Sequence, residues 1–238
     1  MALGLVLTGH FSNLFVFTSL ILVHEFGHVI VAAVFRYKID KIVIYPYGGL
    51  TKLDCFVNTD IYKDLLISIS GVVLQCMYFF IVYLLYSAGI IRGYIYNLFY
   101  LYHNSMVLFN LLPIVPLDGF KILNLIFSKI FNLNLSNNLS VFVSLCTIIF
   151  FLFSDLYQKN YSMVLVIGLL MQNIYKFYYQ LSHIYNRFLI ERYLYDINYK
   201  KKIIINNEKK MYKNMSHLFM KNGKLISEKT FLSDFFTK

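Results

Sequence analysis

Apolar residues run along this chain in long unbroken stretches with polar residues gathered between them, the pattern of helices in lipid rather than of amphipathic helices on a soluble core. Runs at 11–35, 65–91 and 94–115 are each long enough to cross a bilayer, for which a helix needs about 20 residues. Two shorter runs follow at 139–153 and 161–181, the latter ending polar and rich in tyrosines that suit a headgroup belt. Ahead of them, residues 2–7 form an apolar stub too short to span. It is either the remnant of a first helix or the visible part of a chain that starts upstream, and it lacks the basic n-region and cleavage site of a signal peptide. Counting the stub, the pattern predicts an all-α polytopic membrane protein of about six transmembrane segments, the first short or truncated.

Between the first two runs, residues 39–53 alternate in part and carry Gly48 and Gly49 after Pro46, which predicts a short hairpin or a membrane-dipping loop. Its strand edge would suit an extended peptide; an ordinary interhelical turn fits the residues equally. The one compositional boundary lies near His183, which divides a membrane domain at 1–182 from a tail at 183–238. Within that tail the sequence predicts a strand at 203–205, a helix over 209–220, a turn at Asn222 and Gly223 and a last apolar piece, together a small basic α/β unit.

Composition sharpens this picture. Of 238 residues 58% are hydrophobic and 14% charged, with a mean hydropathy of +0.60, which excludes intrinsic disorder and an ordinary soluble enzyme. The formal charge of +10 resembles a nucleic-acid signal until it is mapped: 12 of the 22 Lys and Arg, but only 5 of the 12 Asp and Glu, lie from His183 onward. A basic tail behind apolar spans belongs on the cytoplasmic side and is attracted to anionic lipid, so direct nucleic-acid binding is not expected and the plain reading is a solvated tail. The loop at 36–64 holds Arg36, Lys38, Lys41, Lys52 and Lys63, against single basic residues near Arg92 and Lys159, which places that loop inside; the amino terminus is inside as well if the stub crosses, and outside if it does not. Cys55, Cys76 and Cys146 show neither a disulfide framework nor thiolate zinc spacing.

Ionisable side chains inside a span are costly and point to function. The first run holds His24, Glu25 and His28 as HEFGH, an HExxH pattern. With 6 His in the chain, chance would supply only about 0.0025 copies of this motif. On a helix the two histidines lie about 40° apart on one face and reach one metal, while Glu25 stands beside it as a proton acceptor. A hydrogen-bonded polar cluster joining helices is the bland alternative. A catalytic zinc needs a third protein ligand. Among the aspartates Asp118 alone sits in an apolar region, preceded by Pro113 and Pro116, prolines that break a helix and leave backbone groups seeking partners beside a cavity. Asp118 reads either as a helix cap or as that ligand; beside HExxH the ligand reading is preferred. His103 reads as a packing histidine or one near the cavity.

HEFGH in one span and NLLPIVPLDG at 110–119 in a later one resemble the site-2 protease family of intramembrane zinc metalloproteases. Residues 3–10 (LGLVLTGH), 45–49 (YPYGG), 110–121 (NLLPIVPLDGFK) and 187–193 (RFLIERY) are similar to its sporulation branch in endospore-forming bacteria, and the similarity runs from about residue 2 to 193. The resemblance implies a site-2 protease-like core in which His24, His28 and Asp118 hold one Zn2+ and Glu25 is the base. It also implies that Asn110 and Pro116 contact or shape the substrate loop. The implied substrate is a membrane-associated sigma-factor precursor that loses its prosequence. The implied setting is the mother-cell membrane around the forespore, with the active site toward the cytoplasm and sister membrane proteins as inhibitors. Two departures matter. Ser70, Gly71, Val72 and Val73 stand where the family commonly has a Gly-Pro pair, with Gln75 beyond. The tail is short for a complete copy of the branch's nucleotide-sensing CBS domain and reads as a shortened remnant of one, so the resemblance does not carry ATP sensing over to it. The rival reading is a noncatalytic scaffold, a pseudoprotease, or a metal carrier using His24 and His28. Neither needs a base at Glu25, and a carrier should repeat its polar sites in two halves, which this sequence does not.

Overall fold

The computed structural model describes residues 11–45, 48–54, 57–153, 161–195, 197, 199, 201–221 and 224–236, in two compact units. The first takes in the described residues of 1–54, 66–112 and 117–119, and the second those of 55–65, 113–116 and 120–238. The chain is mostly helical. Among the described residues three helices are long and apolar enough to cross a membrane: α1 (Phe11–Val34), α2 (Ile61–Ser87) and α5 (Leu133–Phe153).

In the first unit, α1 ends where Arg36 takes a left-handed φ of 59°. There Tyr37 N–H reaches the Ala32 carbonyl at 2.9 Å and Arg36 N–H that of Ala33 at 2.9 Å, a Schellman stop that turns the chain into β1 (Lys38–Tyr45). β1 pairs antiparallel with β2 (Gly48–Asp54), with a bulge between Ile39 and Lys41. The hairpin is thus formed, while its turn at Pro46 and Tyr47 lies outside the described residues. α1 lies against both strands and against α3 (Gly93–Asn110), and its Val16 and Leu20 cluster with Val82 of α2 and Phe99 of α3.

The apolar run at 94–115 is shorter as a helix than the sequence suggests. α3 stops at Asn110, a connection follows, and a separate helix α4 (Asp118–Ile130) begins at the aspartate. Two prolines in that connection deny it backbone donors and bias the residues before them away from helix. Gly119 is required at the start of α4, because a Cβ there would overlap the Leu111 carbonyl.

In the second unit α5 begins at Leu133, earlier than apolarity alone predicts, with the Asn132 side chain accepting from Leu135 N–H at 2.9 Å. Its polar residues face α4: Asn124 donates to Asn137 at 2.8 Å, and the Ser128 and Ser136 hydroxyls meet at 2.7 Å. Helix α6 (Tyr161–Leu194) runs past the predicted end at 181. It joins a three-stranded sheet of β3 (Lys202–Ile205), β4 (Ser216–Lys221) and β5 (Lys224–Ser227), with β4 central, and a closing helix α7 (Glu228–Phe236). The helix expected over 209–220 is not formed. A 3-10 turn at Glu208–Lys210 precedes β4, whose alternation of buried His217 and Phe219 with more exposed Leu218 and Met220 suits a half-covered strand. The turn at Asn222 and Gly223 lies outside the described residues.

This tail is not merely a solvated charged segment. Phe188, Leu189, Ile205, Met211, Phe219 and Leu232 form its apolar core, with Phe219 stacked on Phe231 at 3.7 Å between centroids. Within it the Arg192 side chain, 1% exposed, bonds Asn58 Oδ1 at 2.7 Å, Glu228 Oε1 at 2.9 Å and the carbonyls of Tyr212, Lys213 and Met215. Glu191 accepts from the Val57 and Asn58 amides, each at 3.0 Å. A buried guanidinium and carboxylate satisfied on this many sides explain why RFLIERY closes α6. Burial alone would raise the Glu228 carboxyl, but the hydrogen bond from His217 and the Arg192 guanidinium hold it below its ordinary value.

Candidate metal centre

His24, Glu25 and His28 lie one helical turn apart in α1, all at most 4% exposed. Asp118, also buried, is the first residue of α4. Asp118 Oδ2 stands 3.0 Å from His24 Nε2 and 3.0 Å from His28 Nε2, and the two Nε2 atoms are 3.3 Å apart. Among the described residues this is the group of three His, Cys, Asp or Glu side chains arranged to hold a metal ion. Asp118 therefore sits where a third ligand would, although it also opens its helix. Asn110 closes α3, and Pro116 lies in the connection that follows, two residues ahead of Asp118; neither is one of the three residues of the group.

The donor set fits zinc. Ligands about 2.0–2.1 Å from a tetrahedral zinc lie about 3.3 Å from one another, close to the separations found here. His28 Nδ1 donates to the Ile67 carbonyl at 2.7 Å, which leaves Nε2 a lone pair directed at the carboxylate oxygen. A cation held by two imidazoles and a carboxylate would offset the negative charge and lone pairs that meet there.

The space is set by two glycines. A Cβ on Gly27 would meet the Ser70 carbonyl oxygen at 2.5 Å and Gly71 Cα at 2.8 Å, so α1 and α2 cross backbone to backbone beside the histidines. A Cβ on Gly71 would overlap both imidazoles, at 2.6 Å from His28 Cε1 and 2.9 Å from His24 Nε2. Gln75, fully buried, brings Oε1 to 3.1 Å from His24 Nδ1. Its amide nitrogen lies 3.4 Å from the His103 carbonyl, and the His103 ring stacks on Phe79 at 4.3 Å. Sequence reasoning met Gly71 and Gln75 only as departures in helix packing. The signal available was a glycine and an amide four residues apart in an otherwise apolar span, since polar groups in a span seek a partner.

The profile of peptidase family M50 matches residues 12–103. Stage IV sporulation protein FB of Bacillus subtilis (strain 168) is 32% identical over 196 residues, which cover 81% of this chain and 67% of that protein. The chain belongs to peptidase family M50. A zinc metalloprotease of Methanocaldococcus jannaschii is 33% identical to this M50 chain over 156 residues, 63% of this chain and 44% of the relative. The solved site-2 protease from the same archaeon aligns with a TM-score of 0.54 at 26% identity, over 69% of this chain and 76% of that one. The M50 chain is an integral membrane zinc metalloprotease, a metalloendopeptidase of the site-2 protease type that acts on a protein substrate.

Proposed function

We propose that this M50 chain carries out regulated proteolysis with one zinc per chain held by His24, His28 and Asp118 and with Glu25 as its base, removing the prosequence of a membrane-associated sporulation sigma-factor precursor. The observation that carries the site is the convergence of two imidazole nitrogens and a carboxylate oxygen at 3.0–3.3 Å, one residue from a buried glutamate. The substrate reading is supported by similarity to a stage IV sporulation protein over 81% of this chain.

Zinc in that place supplies a Lewis acid that polarises the scissile carbonyl and acidifies water. The Glu25 carboxylate takes a proton from the attacking water as its oxygen bonds the carbonyl carbon. It returns that proton to the departing nitrogen as the C–N bond breaks, so one water is divided between acid and amine. His24, His28 and Asp118 orient the reacting group, and burial keeps competing water away. Asn110 and Pro116 shape the connection that presents the substrate backbone. The hairpin of β1 and β2 offers strand pairing to an extended chain.

In this reading about six segments cross the mother-cell membrane around the forespore. The protease domain spans 1–182, the basic tail at 183–238 lies in the cytoplasm against anionic lipid, and the site faces the cytoplasm, where sister membrane proteins hold the enzyme inactive. The test is co-expression with a tagged sigma-factor precursor from the same organism, followed by immunoblot. Cleavage by wild type and none by Glu25→Gln is expected. Cleavage by both, or by neither with both proteins in the membrane, would overturn the reading.

A further inference from the structure

One stripe of α2 touches both histidines. Ile67, Gly71 and Gln75 follow at a spacing of four: the Ile67 carbonyl receives His28 Nδ1, Gly71 leaves room for the two rings, and Gln75 Oε1 faces His24 Nδ1. The two histidines thus meet acceptors of different kinds. A backbone carbonyl can only accept, so it fixes the His28 proton on Nδ1 without help. A glutamine amide can turn either end toward a ring, and what it turns decides which nitrogen of His24 keeps its lone pair.

His103 settles which end is turned. Its main-chain carbonyl, which can only accept, lies 3.4 Å from Gln75 Nε2, its ring Nδ1 lies 3.4 Å from the same atom and accepts from it when the His103 proton is on Nε2, and the ring is held flat on Phe79 with 6° between the planes. The amide NH2 therefore belongs on the His103 side and Oε1 on the His24 side. Full burial of Gln75 leaves no water to satisfy the reversed amide. With Oε1 accepting, His24 carries its proton on Nδ1 and directs the Nε2 lone pair toward Asp118 Oδ2 and the shared centre.

We infer that Gln75 is a positioning residue, oriented by the His103 carbonyl, that selects the tautomer in which His24 presents Nε2 as a metal ligand. This rests on the ligand reading proposed above. Outer partners of metal-ligating histidines fix tautomer and ring orientation, and their loss typically weakens metal binding about 10- to 100-fold.

The test is zinc affinity of the full chain in detergent, by chelator competition, for wild type, His24→Ala, Gln75→Leu and Gln75→Glu. Leucine fills much of the same volume without an acceptor, whereas a carboxyl group offers an oxygen to His24 and, protonated, a hydroxyl to the His103 carbonyl. Gln75→Leu should raise the zinc Kd about 10- to 100-fold while Gln75→Glu stays within about threefold of wild type. A residue that merely packs would give the opposite order, since glutamate buries a polar acid and leucine does not. Equal losses in both variants, or an unchanged Kd in Gln75→Leu beside a lost site in His24→Ala, would overturn the inference alone. Wild type without zinc, or His24→Ala with unchanged affinity, would overturn the ligand reading and this inference with it. A measurement on unaltered protein guards against misfolded variants. In metal-free wild type labelled with 15N-histidine, the His24 resonances, assigned by their absence in His24→Gln, should show the proton on Nδ1. A proton on Nε2 would overturn the inference.

Discussion

Replacing Gly71 by alanine puts a methyl group where the two imidazoles now stand, and its consequence follows from the distances. The new carbon would lie 2.6 Å from His28 Cε1 and 2.9 Å from His24 Nε2, whereas carbon atoms rest about 3.5–4.0 Å apart. One ring, or the whole crossing of α1 over α2, must retreat by about 1 Å. The crossing cannot easily give, because Gly27 already lets α1 rest on the backbone at Ser70 and Gly71. Metal sites tolerate errors of only about 0.2 Å in ligand position. Overpacking of this kind costs about 1–3 kcal/mol, and if that appears as lost affinity the zinc Kd rises about 5- to 150-fold. The assay is chelator competition on detergent-purified protein, with Gly168→Ala as the control. Gly168 lies in α6, where among the described residues no atom outside its own helix backbone lies within 4 Å of an added Cβ, so zinc affinity should not move. Wild-type affinity and cleavage in Gly71→Ala would refute the packing argument.

Other outcomes follow from the same geometry. Glu25→Gln should retain zinc within about twofold yet lose cleavage by about a hundredfold or more, because the proton acceptor is gone while the ligands stay; metal content beside precursor cleavage checks it. Arg192→Ala leaves Glu228 and three main-chain carbonyls without their cationic partner, so the tail should lose about 3–5 kcal/mol, seen as faster proteolysis at β4 and β5. The Glu228 carboxyl, held below its ordinary value of 4.5 chiefly by His217 and Arg192 against the opposing effect of burial, stabilises the folded tail fully above that value. That contribution declines as the pH falls below the ordinary value toward the lower folded one, so hydrogen exchange at β4 should hold steady near neutrality and quicken in acid. Glu228→Gln should flatten this dependence.

The grouping of the two histidines was legible because HExxH sets both on one helix face, so primary spacing already fixes their geometry. Asp118 was legible because a carboxylate beside prolines in an apolar stretch has few bland explanations. What the sequence concealed lies across helices. Apolarity could not show that the run at 94–115 stops at Asn110, since residues 111–117 are as hydrophobic as the helix before them. Nor could it show that α5 starts at Leu133, where Asn137 and Ser136 look like loop residues until α4 supplies their partners. The tail misled differently. Charge read as solvation, yet Glu191 and Arg192 are buried in complementary contacts that require Asn58, more than a hundred residues away in sequence. Gln75 and His103 likewise acquire meaning only when α2 and α3 stand side by side.

The central claim is a zinc held by His24, His28 and Asp118. Zinc-edge X-ray absorption on the purified full chain, wild type and Asp118→Ala, tests it most directly. The account predicts one zinc per chain with two imidazole nitrogens and oxygen ligands at about 2.0–2.1 Å, and loss of most of that metal in Asp118→Ala. Sulfur ligation in wild type, or an unchanged spectrum at full occupancy in Asp118→Ala, would contradict it.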